Sequence, residues 1–115
     1  MADNPRPITY QAKYTALVAN KMNQAEKETV TIAGRYCETG DILIQDISLP
    51  KISPGDTIAV FGTGAYNYSM SSNYNMIPRA ACVIVNNGKS EVIIERESYK
   101  DITSKHLIPE RLFEP

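Results

Sequence analysis

Cys37 and Glu38 stand side by side in "YCETGD", between two segments of strand composition. A thiol with a reference pKa of ~8.5 is mostly protonated at neutral pH and can donate a proton, while a neighbouring carboxylate can pair with an ammonium group. The same residues also fit a plain corner in which Gly40 supplies the turn and Cys37 is a small buried apolar residue. Residues 62–75, "GTGAYNYSMSSNYN", gather three tyrosines, three serines and three asparagines in one connection, where about 4–6 residues of simple turn chemistry would suffice. That loop fits a packed Ω-type loop with locally bonded hydroxyls. It fits equally a site where a tyrosine hydroxyl or the backbone N–H groups of residues 62–65 reach an anion such as phosphate. In "NPRP", Arg6 lies between two prolines, which are expected to hold the backbone extended and to aim the guanidinium at a carboxylate, unless it is simply solvated.

The elements that must carry these residues read as strands. Residues 10–18 place Tyr10, Ala12, Tyr14, Ala16 and Val18 on one period-2 face, although the alanines permit a helix. Residues 21–28 are polar and read as an exposed connection. Residues 29–36 and 41–50 have strand composition, joined by a tight five-residue corner, "CETGD". "SPGD" at 53–56 is a turn, and residues 57–61 form a short buried strand that delivers the chain into the tyrosine loop. Residues 80–97 form a hairpin around Asn87-Gly88, a pair that tolerates the positive φ values of a type I′ turn. Ser98 is a candidate N-cap for one helical turn, and the tail to Pro115 is mixed. No internal repeat or low-complexity segment is visible. The pattern predicts an all-β, mainly antiparallel barrel or sandwich with at most short helical turns.

At 115 residues the chain is expected to form a single domain with one hydrophobic core. Twelve basic and thirteen acidic side chains leave almost no net charge, which argues against a nucleic-acid partner gripped through phosphates. The N-terminal residues lack a signal-peptide pattern and no apolar run approaches the ~18 residues of a membrane helix, so no membrane association and a soluble, cytoplasmic protein are expected. Cys37 and Cys82 lie in unlike surroundings and read as separate reduced thiols. With no CxxC, no HExxH and one histidine, His106, neither a metal site nor a histidine-based triad is expected.

Three stretches, "ADNPRPITY", "GRYCETGD" and "GTGAYNYSMSSNYNMIPRAACVIV", in this order and spacing, resemble the C-terminal part of bacterial diaminopimelate decarboxylase, covering about residues 2–101. That family comprises pyridoxal-phosphate decarboxylases of the alanine-racemase-like fold type, which make lysine and carbon dioxide from meso-diaminopimelate. The resemblance implies a two-domain protein in which a (β/α)8 barrel holds the cofactor on a lysine. The seven lysines here lack that barrel context, so this chain looks like the C-terminal β-domain alone, inactive by itself. It implies a homodimer, because the family builds each site from one subunit's barrel and the other's Cys-Glu corner.

By position, the resemblance makes Cys37 the thiol that protonates the substrate carbon and Glu38 the contact to the distal ammonium group. Arg6 and Tyr10 become further substrate contacts, and Tyr66 a contact to cofactor phosphate and substrate. Tyr68 and Tyr74 are then left to packing of the loop, and its serines and asparagines to internal hydrogen bonds. Thr39 stands where Ser is usual and keeps the hydroxyl, Asn67 stands where Gly is frequent, suggesting left-handed backbone angles there, and Ala80 replaces a common Pro. A relative acting on ornithine, arginine or a carboxylated polyamine would keep the cysteine corner and change the distal contacts. Arg6 with Glu38 favours a zwitterionic distal group. The alternative of another class is a non-catalytic β-barrel binding or dimerisation module.

Overall fold

The computed structural model describes residues 1–113. In chain order the elements are α1 (Arg6–Tyr10), β1 (Ala16–Val18), β2 (Lys27–Ala33), β3 (Ile42–Pro50), β4 (Ile58–Val60), α2 (Asn67–Met70), β5 (Cys82–Asn86), β6 (Lys89–Ile94) and α3 (Tyr99–Thr103). Short 3-10 turns occur at Tyr74–Met76 and Glu110–Leu112, the latter within the mixed tail, whose last two residues lie outside the described ones. The expected antiparallel architecture with short helices is present. Its strands pair as three separate two-stranded ladders, β1 with β4, β2 with β3 and β5 with β6, and no closed barrel forms among the described residues.

The chain divides into two compact units, Met1–Ser71 and Ser72–Pro115. The first holds the core. Strand β2 alternates exposed and half-buried residues along its length, as a strand with one covered face must, and pairs with β3 from Lys27↔Pro50 to Ala33↔Ile42. Two register shifts interrupt this ladder. At the first, Gln45 and Asp46 face Thr31, with Asp46 at φ 52°. Such bulges bend and twist a strand. Val18, Ile44 and Leu49, from β1 and β3, and Ala2 are the buried apolar side chains among the described residues, and Val18 is fully enclosed at 0 % exposure.

Between Tyr10 and Val18 the expected alternation is real in burial, with Ala12, Tyr14 and Ala16 more covered than Gln11, Lys13 and Thr15. Ladder pairing starts only at Ala16, opposite Val60. The 53–56 turn forms as expected: Asp56 N–H donates to the Ser53 carbonyl at 3.1 Å, and Gly55 takes φ 96°. Strand β4 is half-buried rather than fully covered.

In the second unit Asn87 and Gly88 take φ 49° and 74°, the signs a type I′ turn needs. Ser98 caps α3 through a reciprocal bond with Asp101. Val83, Ile84, Val85, Val92 and Ile93 are all exposed, so consecutive residues on both faces of the hairpin lack cover, and the single expected core does not extend here.

Two consequences are measurable. Val18→Ala should lower stability by about 2 kcal/mol, since it deletes buried methyl groups and leaves a void. Val85→Ala, at 71 % exposure, should change the same urea-unfolding midpoint hardly at all, and equal effects would contradict this placement of the core. The Asp56 carboxylate accepts from Lys21, Asn20 and the Ser53 N–H, which together hold its pKa down to about 2 from 3.8. Its stabilising effect is therefore complete above the unfolded value and is lost as pH falls from about 4 towards 2. Acid unfolding of Asp56→Asn should show a shallower pH slope across that window.

Candidate functional site

Helix α1 forms where the two prolines were expected to keep the chain extended. Pro5 occupies the N-cap and Pro7 falls in the first turn, where a missing N–H costs nothing because no carbonyl awaits it. Thr9 N–H donates to the Pro5 carbonyl at 3.0 Å, and the turn ends at Gln11 in the left-handed region, φ 56°. Arg6 and Tyr10 are therefore carried on one helical turn. The Arg6 guanidinium lies over the Tyr14 ring, 5.8 Å from its centre, within range for a cation–π contact. Tyr14 in turn donates to Asn4 Oδ1 at 3.3 Å. Tyr10, exposed rather than on a covered strand face, donates to the Met70 sulfur at 3.6 Å and so ties α1 to α2.

The corner joining β2 to β3 is an eight-residue loop, 34–41, longer than the five residues expected. Gly34 N–H donates to the Asp41 carbonyl at 2.8 Å, Asp41 N–H to the Glu38 carbonyl at 3.0 Å, and Glu38 N–H to the Tyr36 carbonyl at 2.8 Å. Tyr36 N–H donates to Asp41 Oδ2 at 2.8 Å, and the amino group of Met1 pairs with Oδ1. Burial pushes the Asp41 carboxyl up, but the Met1 ammonium and the Tyr36 N–H outweigh it and the net shift is downward. Cys37 and Glu38 are exposed at the tip of this loop, so the reading of Cys37 as a buried filler does not hold. Thr39 Oγ1 donates to Glu38 Oε1 at 3.4 Å.

Gly40 has a reason other than turn geometry. A Cβ there would collide with the Ile8 side chain, so the glycine lets α1 seat directly against the loop. Between them runs a groove of about 710 Å³ whose lining includes Ile8, Lys13, Tyr14, Thr39, Gly40 and Asp46. A smaller hollow of about 310 Å³ lies between Arg6, Tyr14, Phe61 and Gly62, at the start of the tyrosine loop.

Tyr66 precedes α2 with φ 67° and ψ −20°. The left-handed residue is thus Tyr66, not Asn67 as the sequence suggested. A bulky residue in that region is strained and held there by its surroundings. Ser69 Oγ and Met70 N–H both donate to the Tyr66 carbonyl, at 3.2 and 3.0 Å, and Ser71 Oγ donates to the Tyr68 carbonyl at 2.6 Å. Ser69 and Ser71 thus make the expected internal loop bonds, whereas the Asn67 side-chain oxygen, expected to do the same, has no partner among the described residues. Tyr68, assigned to packing, is exposed, whereas Tyr74 is half-buried. The Tyr66 ring is 69 % exposed and its hydroxyl makes no hydrogen bond among the described residues.

Within the second unit, Asn73 Nδ2 donates to the Ile77 carbonyl at 3.1 Å and to Glu97 Oε2 at 2.6 Å. Glu97 also accepts from the Arg79 N–H and guanidinium, at 2.8 and 2.9 Å. The Arg79 N–H and then Asn73 hold the Glu97 carboxyl below its usual range.

A helical turn bearing Arg6 and Tyr10, seated on a loop that presents a thiol and a carboxylate, belongs to a recognised class. Residues 1–64 match the family described as pyridoxal-dependent decarboxylase, C-terminal sheet domain, and the chain belongs to that family. It is 53 % identical to the diaminopimelate decarboxylase of Synechocystis over 97 % of its length and 54 % identical to that of Bacillus subtilis over 93 %. Among solved structures it resembles the diaminopimelate decarboxylase of M. jannaschii in complex with L-lysine, with a TM-score of 0.90, 38 % identity and 97 % of this chain covered. The Helicobacter pylori enzyme complexed with L-lysine aligns with a TM-score of 0.82 at 35 % identity over 90 % of this chain. The chain spans about a quarter of the length of these relatives.

Sequence reasoning passed over Asp41, Gly34 and Ile8. Asp41 was visible in "CETGD" but read as the first residue of a strand, and the close approaches made at Gly34 and Gly40 leave no signal in composition. The placement of the thiols is testable with a disulfide reagent such as dithionitrobenzoate. One thiol per native chain, Cys37, should react rapidly, and Cys37→Ser should abolish that phase, whereas a fast phase surviving in Cys37→Ser would assign the exposed thiol to Cys82.

Proposed function

We propose that this chain is the C-terminal β-domain of a two-domain diaminopimelate decarboxylase, which converts meso-diaminopimelate to L-lysine and carbon dioxide. What supports this reading is the match of residues 1–64 to the C-terminal sheet domain of pyridoxal-dependent decarboxylases, in a chain whose α1, the turn bearing Arg6 and Tyr10, packs through Ile8 against Gly40 of the loop that presents Cys37 and Glu38. The relatives carry that name, and two of the structures it resembles hold L-lysine.

Each residue has a role its chemistry suits. Glu38, exposed on the loop, pairs with the ammonium group at the end of the substrate that does not react. Arg6 binds the carboxylate of that same end, and Tyr10 flanks it. An arginine and a glutamate together fit a zwitterion, whereas a substrate ending in a bare amine, as for an ornithine-type enzyme, gives Arg6 nothing to bind. Cys37 donates its thiol proton to the α-carbon after carbon dioxide has left: the S–H bond breaks, the C–H bond forms, and the thiolate is reprotonated from solvent.

The residues present also fit pyridoxal phosphate as cofactor, since the exposed Tyr66 hydroxyl, without an internal partner, can donate to a phosphate oxygen. When bound, the cofactor takes up the electron pair left on the α-carbon. It would be held mainly by an N-terminal barrel domain, with this chain forming one wall. The same reading makes the protein a cytoplasmic homodimer with each site shared between subunits. Among the described residues no helix is long and apolar enough to cross a membrane.

In the full-length enzyme, Cys37→Ala should lower kcat by about a hundredfold or more while KM and the cofactor's visible absorbance stay near wild type. Glu38→Gln should instead raise KM for meso-diaminopimelate. Undiminished turnover by Cys37→Ala would remove the thiol from its role, and a wild-type enzyme that releases no lysine would end the reading altogether.

A further inference from the structure

Cys37 is bracketed by two residues, and both are tied to a third. Tyr36 gives its N–H to the Asp41 carboxylate at 2.8 Å, and Glu38 gives its carbonyl to the Asp41 N–H at 3.0 Å. The Asp41 carbonyl closes the base of the loop on Gly34 at 2.8 Å. Asp41 is only 4 % exposed, and a buried carboxylate holds its place only while its partners satisfy it. The position a Gly34 Cβ would take is filled by that same carboxylate, so the two sides of the loop are fitted to each other without slack. An eight-residue connection would otherwise have freedom to rearrange at its tip.

We propose that Asp41 is a positioning residue: its carboxylate fixes the width of the 34–41 loop and thereby sets where Glu38 meets the distal ammonium group, which makes it a determinant of substrate discrimination. The inference rests on the function proposed above. Asp41 itself touches no substrate. The influence of its carboxylate passes through the Tyr36 N–H to the neighbouring Cys37 and Glu38, whereas the main-chain bond from Asp41 N–H to the Glu38 carbonyl is kept in every variant.

The test compares meso-diaminopimelate with 2-aminopimelate, which keeps both carboxylates and one amino group but lacks the second, as alternative substrate or competitive inhibitor of the full-length enzyme. Loss of general stability weakens both compounds equally, whereas a displaced Glu38 weakens only the one that bears the distal ammonium. Asp41→Ala should compress the preference for meso-diaminopimelate about tenfold. Asp41→Asn, of the same shape and with one oxygen still able to accept from the Tyr36 N–H, should restore most of it.

An unchanged preference in Asp41→Ala, or an Asp41→Asn no better than Asp41→Ala, would overturn the proposal. If Asp41→Ala does not fold, Gly34→Ala displaces the same carboxylate from the opposite side. It should compress the preference too, and an unaltered preference there counts equally against the proposal. Wild-type enzyme without decarboxylase activity would instead defeat the underlying functional reading, so the two failures are distinguishable.

Discussion

The close approach of Ile8 to Gly40 is the contact on which the rest of the candidate site depends. Helix α1 has five residues, far fewer than an isolated helix needs to persist in water, so its position is set by what it touches. Ile8 fills the space a side chain at residue 40 would claim, Arg6 lies over Tyr14, and Tyr10 reaches Met70. Each contact is modest, and together they fix one turn of helix against a loop on one side and a second short helix on the other. A residue at position 40 larger than glycine would force the Ile8 side chain out of this position and loosen the seat of α1.

Strain and unmet polarity collect where the chain presents these groups. Tyr66 is held in a left-handed conformation that costs an L residue with a bulky side chain roughly 1–3 kcal/mol. Its neighbour Asn67 is 6 % exposed, with a side-chain oxygen lacking a partner among the described residues, and Asn4 Nδ2 is in the same condition. Buried amides without partners are costly, and a fold optimised for stability alone would not retain them beside the residues proposed to bind substrate and cofactor.

Local chemistry was legible wherever one residue dictates one geometry. Asn87-Gly88 gave the hairpin, Ser98 the helix cap and the 53–56 turn its reversal, because backbone angles and capping bonds follow from those side chains alone. The line from residue 10 to residue 18 was half legible. Its burial alternates as read from Ala12 to Val18, but Tyr10 is exposed on α1, and strand pairing exists only from Ala16 onward, opposite β4. Helix α1 was missed because prolines read as extended chain, while the first helical turn accepts them. The left-handed angle was read at Asn67 because the resemblance puts Gly there, whereas it falls one residue earlier, at Tyr66, the N-cap of α2. The site's residue types were visible in sequence, but the lock at Asp41 was not. It arises from a buried carboxylate meeting a main-chain N–H five positions away, and no pattern of residue types encodes that meeting.

The division of apolar burial bears on how the site is sustained. Strands β5 and β6 carry runs of consecutive apolar residues, the composition of strands covered on both faces, and here those side chains are exposed. A two-stranded hairpin without a covered face is marginal in water, so the second unit rests on its turn, its helix cap and the Glu97 bonds to Arg79 and Asn73. Arg6, Tyr10, Cys37, Glu38 and Tyr66 all lie in Met1–Ser71, the unit that also contains Val18, Ile44 and Leu49. The geometry proposed for chemistry therefore depends on a small core that this chain builds for itself. The apolar surface left open on the hairpin is the part whose stability additional polypeptide would raise most, since each Å² removed from water there contributes about 25 cal/mol.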